Sequence, residues 1–260
     1  MSRPGAGPVA LTPSFRLDGR RALVAGAGRG IGLAAAQALA QAGAEVTLAS
    51  RTVSELEQAA AAIGQAGGRA QVLALDVTDA LAVQREIAAR GPFQILVNSA
   101  GTNRPKLLAD TTAEDIDAVL AVNIKAAFFL SREVARGLSA LGQAGSIIHV
   151  SSQMGHVGGP KRTLYCASKH ALEGLCKALA WELGGQNIRV NTLCPTFIET
   201  ELTRPMLKDA QFRAFVESRI ALGRLGQVED IMGAVVFLAS DASAMVTGSA
   251  LMVDGGWTAQ

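Results

Sequence analysis

Between Arg21 and about Ala42 a short apolar run, RALVA, passes straight into Gly26-Ala-Gly-Arg-Gly-Ile-Gly32, and Ala- and Leu-rich helical sequence follows. A strand that ends in glycines and resumes as a helix sets a helix N-terminus at the strand's carboxyl end. Gly26, Gly30 and Gly32 stand in a GxxxGxG spacing. Missing side chains let backbone N–H groups and the helix N-terminus reach a pyrophosphate. This is not the commoner GxGxxG spacing, and a glycine turn without a ligand is the competing reading.

The same alternation runs to the end of the chain. Apolar runs at 45–50, 70–75, 93–97, 146–150, 189–193 and 250–253 read as further strands. Helical stretches lie between them at about 53–63, 80–89, 111–138, 163–183, 201–220 and 228–240. Strands alternating with helices and no internal linker predict an α/β fold, a doubly wound Rossmann-type sheet of about seven parallel strands with helices on both faces. At 260 residues and 49% apolar side chains, the chain suits one domain with a large core. That domain is expected over 16–260, dinucleotide-binding and catalytic. Residues 1–15 are Pro- and Gly-rich without the apolar centre of a signal peptide, and read as a flexible tail. The span 200–220 leaves a strand exit and carries Met206, Phe212 and Phe215. It reads as a substrate lid or a packed surface helix.

A net charge of +2 with no basic cluster predicts no nucleic-acid partner, and no run is apolar for long enough to span a membrane. Cys166, Cys176 and Cys194 form no CxxC pair, and His149, His156 and His170 are scattered, so no metal site is expected. Free cysteines and no targeting segment point to the cytoplasm.

Chemistry enters at Thr163–His170, TLYCASKH. Tyr165 and Lys169 are four apart and share a helix face. A phenol with a pKa near 10 is a poor acid or base at neutral pH, and an adjacent ammonium lowers that value. Ser152 ends the strand upstream, where a hydroxyl can bond a carbonyl or carbinol oxygen. Asn123, between Val122 and Ile124, puts an amide in an apolar helix face. It must be bonded there, to a water or to a backbone carbonyl beside the site.

At the end of the second strand, no carboxylate awaits a ribose diol. Ser50 and Arg51 stand there, with Arg29 inside the glycine turn. Two guanidinium groups can fork onto a 2′-phosphate, so NADP(H) is the preferred cofactor. NAD(H) is the alternative if both arginines face water. Asp76 and Val77 suit an adenine amino group and ring nitrogen, and the small residues of Asn98-Ser-Ala100-Gly101 leave room for a flat ligand. Asn98 alternatively stabilises its own turn. Gln153, His156, Lys161 and Arg162 crowd the rim between Ser152 and Tyr165, with Glu199 across the expected cleft. They read either as recognising a sugar, polyol or acid oxygen, or as loop surface.

Together these stretches resemble the short-chain dehydrogenase/reductase family: AGAGRGIG at 25–32, DV at 76–77, NSAG at 98–101, Asn123, SS at 151–152, YCASK at 165–169 and NTLCPTFIET at 191–200. The resemblance implies that Tyr165 is the general acid/base, that Ser152 orients the substrate oxygen, and that Asn123 holds a relay water. Lys169 would lower the tyrosine pKa and bind the nicotinamide ribose. Gly26, Gly30 and Gly32 would take the pyrophosphate and Asp76 and Val77 the adenine. Asn98 would support the ribose side, Ile198 and Thr200 would contact the nicotinamide amide and phosphates, and Ile31, Ala100, Gly101 and Pro195 would complete the cofactor set. Two departures stand out: Ala25 replaces the family's usual Thr, and Thr196 its usual Gly. The β-carbon of Thr196 reshapes the nicotinamide wall, and its hydroxyl can reach substrate.

The function implied is hydride transfer between a nicotinamide cofactor and a small alcohol or carbonyl substrate, hydroxylated to suit the polar rim, in a homotetramer. The alternatives are an NAD-dependent dehydrogenase, a non-redox isomerase or dehydratase, and a nucleotide-binding scaffold. The scaffold would need to lack one of Ser152, Tyr165 and Lys169, and all three are present.

Overall fold

The structure is a computed structural model that describes residues 11–259. Most of the expected tail, residues 1–10, lies outside the described residues, and 11–15 run exposed without regular structure. In chain order the elements are β1 (Arg21–Ala25), α1 (Gly30–Gln41), β2 (Glu45–Ser50), α2 (Val53–Gln65), β3 (Arg69–Ala74), α3 (Ala80–Arg90) and β4 (Ile95–Asn98). They continue through α4 (Ala113–Leu120), α5 (Ala126–Ala140), β5 (Gly145–Val150), α6 (Thr163–Gly184) and β6 (Ile188–Pro195). The last are α7 (Arg204–Leu207), α8 (Ala210–Ser218), α9 (Glu229–Ala239) and β7 (Ala250–Val253).

The strands form one parallel sheet in the order β3-β2-β1-β4-β5-β6-β7. A parallel strand covered by helices on both faces is apolar throughout, which is why β1 and β4 read as unbroken apolar runs. Alternate residues serve opposite cores. Val24, Val97, Ile148 and Leu193 pack in one core with residues of α1, α2 and α9. Leu23, Leu96, Ile147 and Val190 pack in the other with α3, α5 and α6. From β1 the chain winds outward to β2 and β3, then crosses back to β4 and winds the other way. This reversal opens a crevice at the carboxyl ends of β1 and β4, where ligands sit in such sheets.

Three boundaries differ from expectation. The long helix expected over 111–138 is two helices joined by a π-helical turn, Ala121–Lys125. Its start is as expected, with Thr112 and Asp115 forming a reciprocal capping box. β6 runs on to Pro195 because β7 pairs along its end, Cys194 with Met252 and Pro195 with Val253. The 201–220 span folds as two short helices whose Leu207 and Val216 cluster with Ile220 and Leu225 and pack against Phe197, Met206, Phe212 and Trp257. Among the described residues no helix is long and apolar enough to cross a membrane.

Candidate active site

A cleft of about 480 Å³ follows the carboxyl edge of the sheet from Arg51 and Asp76, past Gly26, to Ser152 and Tyr165. The turn after β1 forms its floor. Gly26 has φ +78°, and a β-carbon there would lie 2.9 Å from the Ala100 nitrogen in the loop after β4. A β-carbon on Gly32 would lie 2.0 Å from the Gly26 carbonyl oxygen, so the first turn of α1 folds directly onto the loop. Thr200 covers this turn, its Cγ2 standing 3.5 Å from where a Gly30 β-carbon would be. Side chains at Gly26 and Gly32 would collide with backbone, and α1 presents its N-terminus with no acidic residue in the first turn. The residues present therefore fit an anionic dinucleotide backbone.

At the β2 end, Arg29, Ser50 and Arg51 line the cleft as expected, joined by Glu55. Arg29 Nη1 is 3.8 Å from Glu201 and 4.0 Å from Glu55. The Glu55 carboxylate leans over the glycine turn, 2.5 Å from a notional β-carbon on Gly28. Asp76 Oδ1 accepts from the Thr78 hydroxyl and N–H at 2.7 and 2.9 Å. These bonds, with the Arg51 guanidinium, hold its carboxyl below the ordinary value. Val77 lines the same stretch, with Ile31, Ala100 and Gly101 further along.

At the other end, α6 brings Tyr165 and Lys169 against the end of β5. Lys169 Nζ donates to the Val150 carbonyl at 2.9 Å and stands 5.6 Å from the centre of the Tyr165 ring. Burial pushes the lysine down to about 8. Ser152 Oγ donates to Gln153 Oε1 at 3.0 Å and accepts from the Met154 N–H at 3.1 Å. The lowering of the tyrosine pKa expected from Lys169 does not set the balance. Burial raises the phenol, and the Ser152 hydroxyl followed by the Arg162 guanidinium pulls it back.

Asn123, in the π turn, is buried and fully engaged. Its Oδ1 accepts from the Thr102 N–H at 2.8 Å, and its Nδ2 donates to Thr102 O and Ser168 Oγ at 3.0 and 2.9 Å. Of its two expected partners the backbone carbonyl is present, and through it the side chain ties the loop after β4 to α6. Asn98 does not reach the cleft, because its Oδ1 accepts from the Ala100 N–H and its Nδ2 faces His149. Of its two readings, the structure takes the turn-stabilising one.

His156, expected at the substrate rim, points away from the cleft toward Cys194 and Glu173. Glu199 also turns aside, accepting from Gln227 and facing Arg213. Gln153, Arg162, Thr196, Pro195 and Ile198 do line the cleft. Four buried polar atoms of cleft-lining residues have no well-placed partner: Asn103 Oδ1, Ser151 Oγ, Arg162 Nη1 and Thr196 Oγ1. Sequence reasoning missed Asn103 and Glu55. Asn103 follows the NSAG stretch closely enough to have been suspected, while Glu55 sits in the ordinary first turn of a helix and gave no signal.

Comparison with known proteins fits this geometry. A family model described as Enoyl-(Acyl carrier protein) reductase matches residues 26–258. The chain is 42% identical over 247 residues to D-erythrulose reductase of Gallus gallus, covering 95% of this chain and 99% of that protein. It is 40% identical over 248 residues to gluconate 5-dehydrogenase of Gluconobacter oxydans (strain 621H), covering 94% and 96%. Among solved structures, a gluconate 5-dehydrogenase from Burkholderia cenocepacia J2315 in complex with NADP and tartrate superposes with a TM-score of 0.90 at 38% identity, covering 95% of this chain and 98% of that one. With the glycine turn, the Ser–Tyr–Lys end of the cleft and these relatives in agreement, the chain belongs to the short-chain dehydrogenase/reductase family.

Proposed function

We propose that this enzyme is an NADP(H)-dependent oxidoreductase that interconverts the carbinol and carbonyl of a small polyhydroxylated substrate, a sugar, polyol or sugar acid. The observation that carries the substrate class is the set of partnerless buried atoms Asn103 Oδ1, Arg162 Nη1 and Thr196 Oγ1 in the wall of the cleft that holds Ser152 and Tyr165. A buried polar atom left unpaired costs about 1–3 kcal/mol. A substrate with several hydroxyl or carboxylate oxygens satisfies them, and an apolar ketone does not. The curated relatives named above carry sugar and sugar-acid names, and the Burkholderia structure holds NADP.

The bound dinucleotide supplies or accepts the hydride at its nicotinamide. Ser152 holds the substrate oxygen by hydrogen bonding, turning from Gln153 to do so. Tyr165 donates the proton to that oxygen in reduction and takes it back in oxidation. The Ser152 hydroxyl and then the Arg162 guanidinium favour the phenolate form when the proton has left, and the Lys169 ammonium, fixed by the Val150 carbonyl, stands beside the ring. Asn123 positions the loop after β4, tying Thr102 to Ser168 on the helix that carries Tyr165 and Lys169. The glycine turn would receive the pyrophosphate, Arg51 and Arg29 the 2′-phosphate, and Asp76 and Val77 the adenine.

Residues 16–260 act as one catalytic domain, with 200–220 closing as a lid, since Leu202, Thr203 and Met206 line the cleft. All three cysteines are free, in keeping with a cytoplasmic protein. Apolar side chains such as Phe128 and Trp181 stand exposed on α5 and α6, which supports a homotetramer.

Nicotinamide absorbance with both cofactors, across ketoses, polyols, aldonic acids and an apolar ketone, tests the reading. Turnover should be confined to the polyhydroxylated compounds and favour NADP(H). Tyr165→Phe should lower kcat by about 10²–10⁴-fold with folding and cofactor affinity retained. Near-full kcat in that variant, or turnover of the sugars without any change in nicotinamide absorbance, overturns it.

A further inference from the structure

Behind the cleft wall, three side chains from three separate parts of the fold converge. His156 lies in the loop after β5, Glu173 on α6 one turn beyond Lys169, and Cys194 is the penultimate residue of β6. Cys194 Sγ is 3.6 Å from His156 Nε2 and 3.4 Å from Glu173 Oε1, and Nε2 is 3.7 Å from Oε1. We propose that Cys194, His156 and Glu173 form a zinc(II) site that ties the substrate end of the cleft together.

The argument is first one of size. Zinc bonds of about 2.3 Å to sulfur, 2.0–2.1 Å to imidazole and 2.0–2.2 Å to carboxylate at tetrahedral angles place S and N about 3.6 Å apart, S and O about 3.6 Å, and N and O about 3.4 Å. The observed triangle already has these edges, with only the His–Glu side longer, at 3.7 Å. Thiolate, imidazole and carboxylate together suit zinc and not the all-oxygen sites of magnesium or calcium.

A second observation points the same way. Ser151, 3% exposed, has a buried hydroxyl with no partner of good hydrogen-bond geometry, and it faces the Cys194 thiol, whose ionised form it favours. A β-carbon on Gly155 would lie 3.1 Å from this Oγ and 3.2 Å from Glu173 Oε1, so the hydroxyl borders the cluster. A water on the fourth position of the ion gives it a partner. Glu173 is also held from behind, since its Oε2 accepts from Thr192 Oγ1 at 2.8 Å and leaves Oε1 facing the other two ligands. The His156 side chain is 31% exposed and provides the entry path.

Binding replaces the thiol proton of Cys194 with the metal and releases that proton to solvent, with no change of oxidation state. Cys194 adjoins Pro195 and Thr196, and Ser151 adjoins Ser152. The ion therefore locks the end of β6 and the loop after β5 onto the helix that carries Tyr165. Metal-site reasoning from the sequence could not find this set, because its members are 17 and 21 positions apart and meet only through the sheet.

The test uses tag-free full-length protein stripped with a chelator and then titrated with zinc or cobalt(II). One equivalent of zinc per chain should be retained through gel filtration and raise Tm. Cobalt(II) should give tetrahedral d–d bands and a thiolate-to-cobalt absorption that Cys194→Ser abolishes. His156→Ala, on a partly exposed loop, should weaken zinc binding by more than about 100-fold, and Thr192→Val by about 10–100-fold, the usual loss for an outer partner. Cys166→Ser and His170→Ala should bind as the unaltered chain does. Failure of the unaltered protein to retain one equivalent overturns the site, as does zinc affinity unchanged in His156→Ala or a cobalt–thiolate absorption that survives Cys194→Ser.

Discussion

At the ribose end of the cleft both expected arginines are present, but they are not equivalent. Arg29 is shared between the Glu55 and Glu201 carboxylates at 4.0 and 3.8 Å, whereas Arg51 helps hold the Asp76 carboxyl in its charged form. A 2′-phosphate must draw Arg29 away from carboxylates that also repel the incoming charge. Exposed pairs of this kind are worth about 0.2–1 kcal/mol. Glu55→Gln should therefore raise the affinity ratio of NADP(H) over NAD(H), by up to about fivefold. Arg51→Ala should lower the same ratio by about tenfold, because a well-made charge-assisted bond is worth about 1.5–3 kcal/mol before solvent discounts it. Titration of both cofactors at fixed ionic strength reads both variants. A ratio unmoved by either substitution would return the enzyme to the NAD(H) alternative. The arginines were legible in the sequence. Glu55 was not, because only the fold of α2 against the glycine turn brings it over Gly28.

Among the elements, β4, β5 and α5 are cross-linked by a histidine that the sequence left unassigned. His149, fully buried, faces Asn98 Nδ2 at 3.4 Å through Nδ1 and Ser131 Oγ at 3.0 Å through Nε2. Burial, and secondarily the nearby Lys169 charge, pushes its pKa down to about 4. The unfolded chain holds this proton more tightly, with a value near 6.5. The contribution of His149 to stability is therefore complete above about pH 6.5 and is lost as the pH falls toward 4, by roughly 3 kcal/mol in all. Denaturant unfolding at pH 7 and pH 4.5 should show that loss, and His149→Gln should flatten it even though the variant starts less stable. An equal pH dependence in the variant would place the acid sensitivity elsewhere. The strands of this region were readable because both faces of a central parallel strand are buried, so each gives an unbroken apolar run. The π turn at Asn123 was not, since one extra residue per turn leaves the apolar pattern of the flanking helices intact. The polar residue inside that pattern was the trace it left. Replacing it has a definite consequence: Asn123→Leu strands the Thr102 N–H and carbonyl, while the Ser168 hydroxyl keeps its bond to the Tyr165 carbonyl. At about 1–3 kcal/mol for each buried group left unmet, several kcal/mol of stability should disappear in a thermal or denaturant melt. A melt unchanged from the parent would mean that water replaces the amide.

For the molecule as a whole, the doubly wound parallel sheet and the residues expected along its cleft followed from local sequence, whereas groups joined only by the topology did not. His156 was expected at the substrate rim because it lies near Ser152 in sequence, and the chain reversal after Ser152 turns it to the other side of the wall. What covers the outer surface is likewise a property of the assembled fold. Ile116 and Leu120 on α4 and Phe128 on α5 are 41%, 39% and 48% exposed, and Trp181 on α6 is 89% exposed. β7 is the last strand of the sheet, and all four of its residues are only partly covered. An open strand edge and an apolar helical face are two different surfaces that favour burial against another copy. Two distinct two-fold interfaces on one chain close into a tetramer, whereas one gives only a dimer. Light scattering at micromolar protein should thus give four times the chain mass of 26.8 kDa. Phe128→Glu puts a charge into the helical interface while leaving the β7 edge untouched. It should give a dimer with native circular dichroism and an unaltered cleft. A monomeric mass for the parent chain would exclude the assembly, and a tetramer that persists in Phe128→Glu would move the second interface away from α4 and α5.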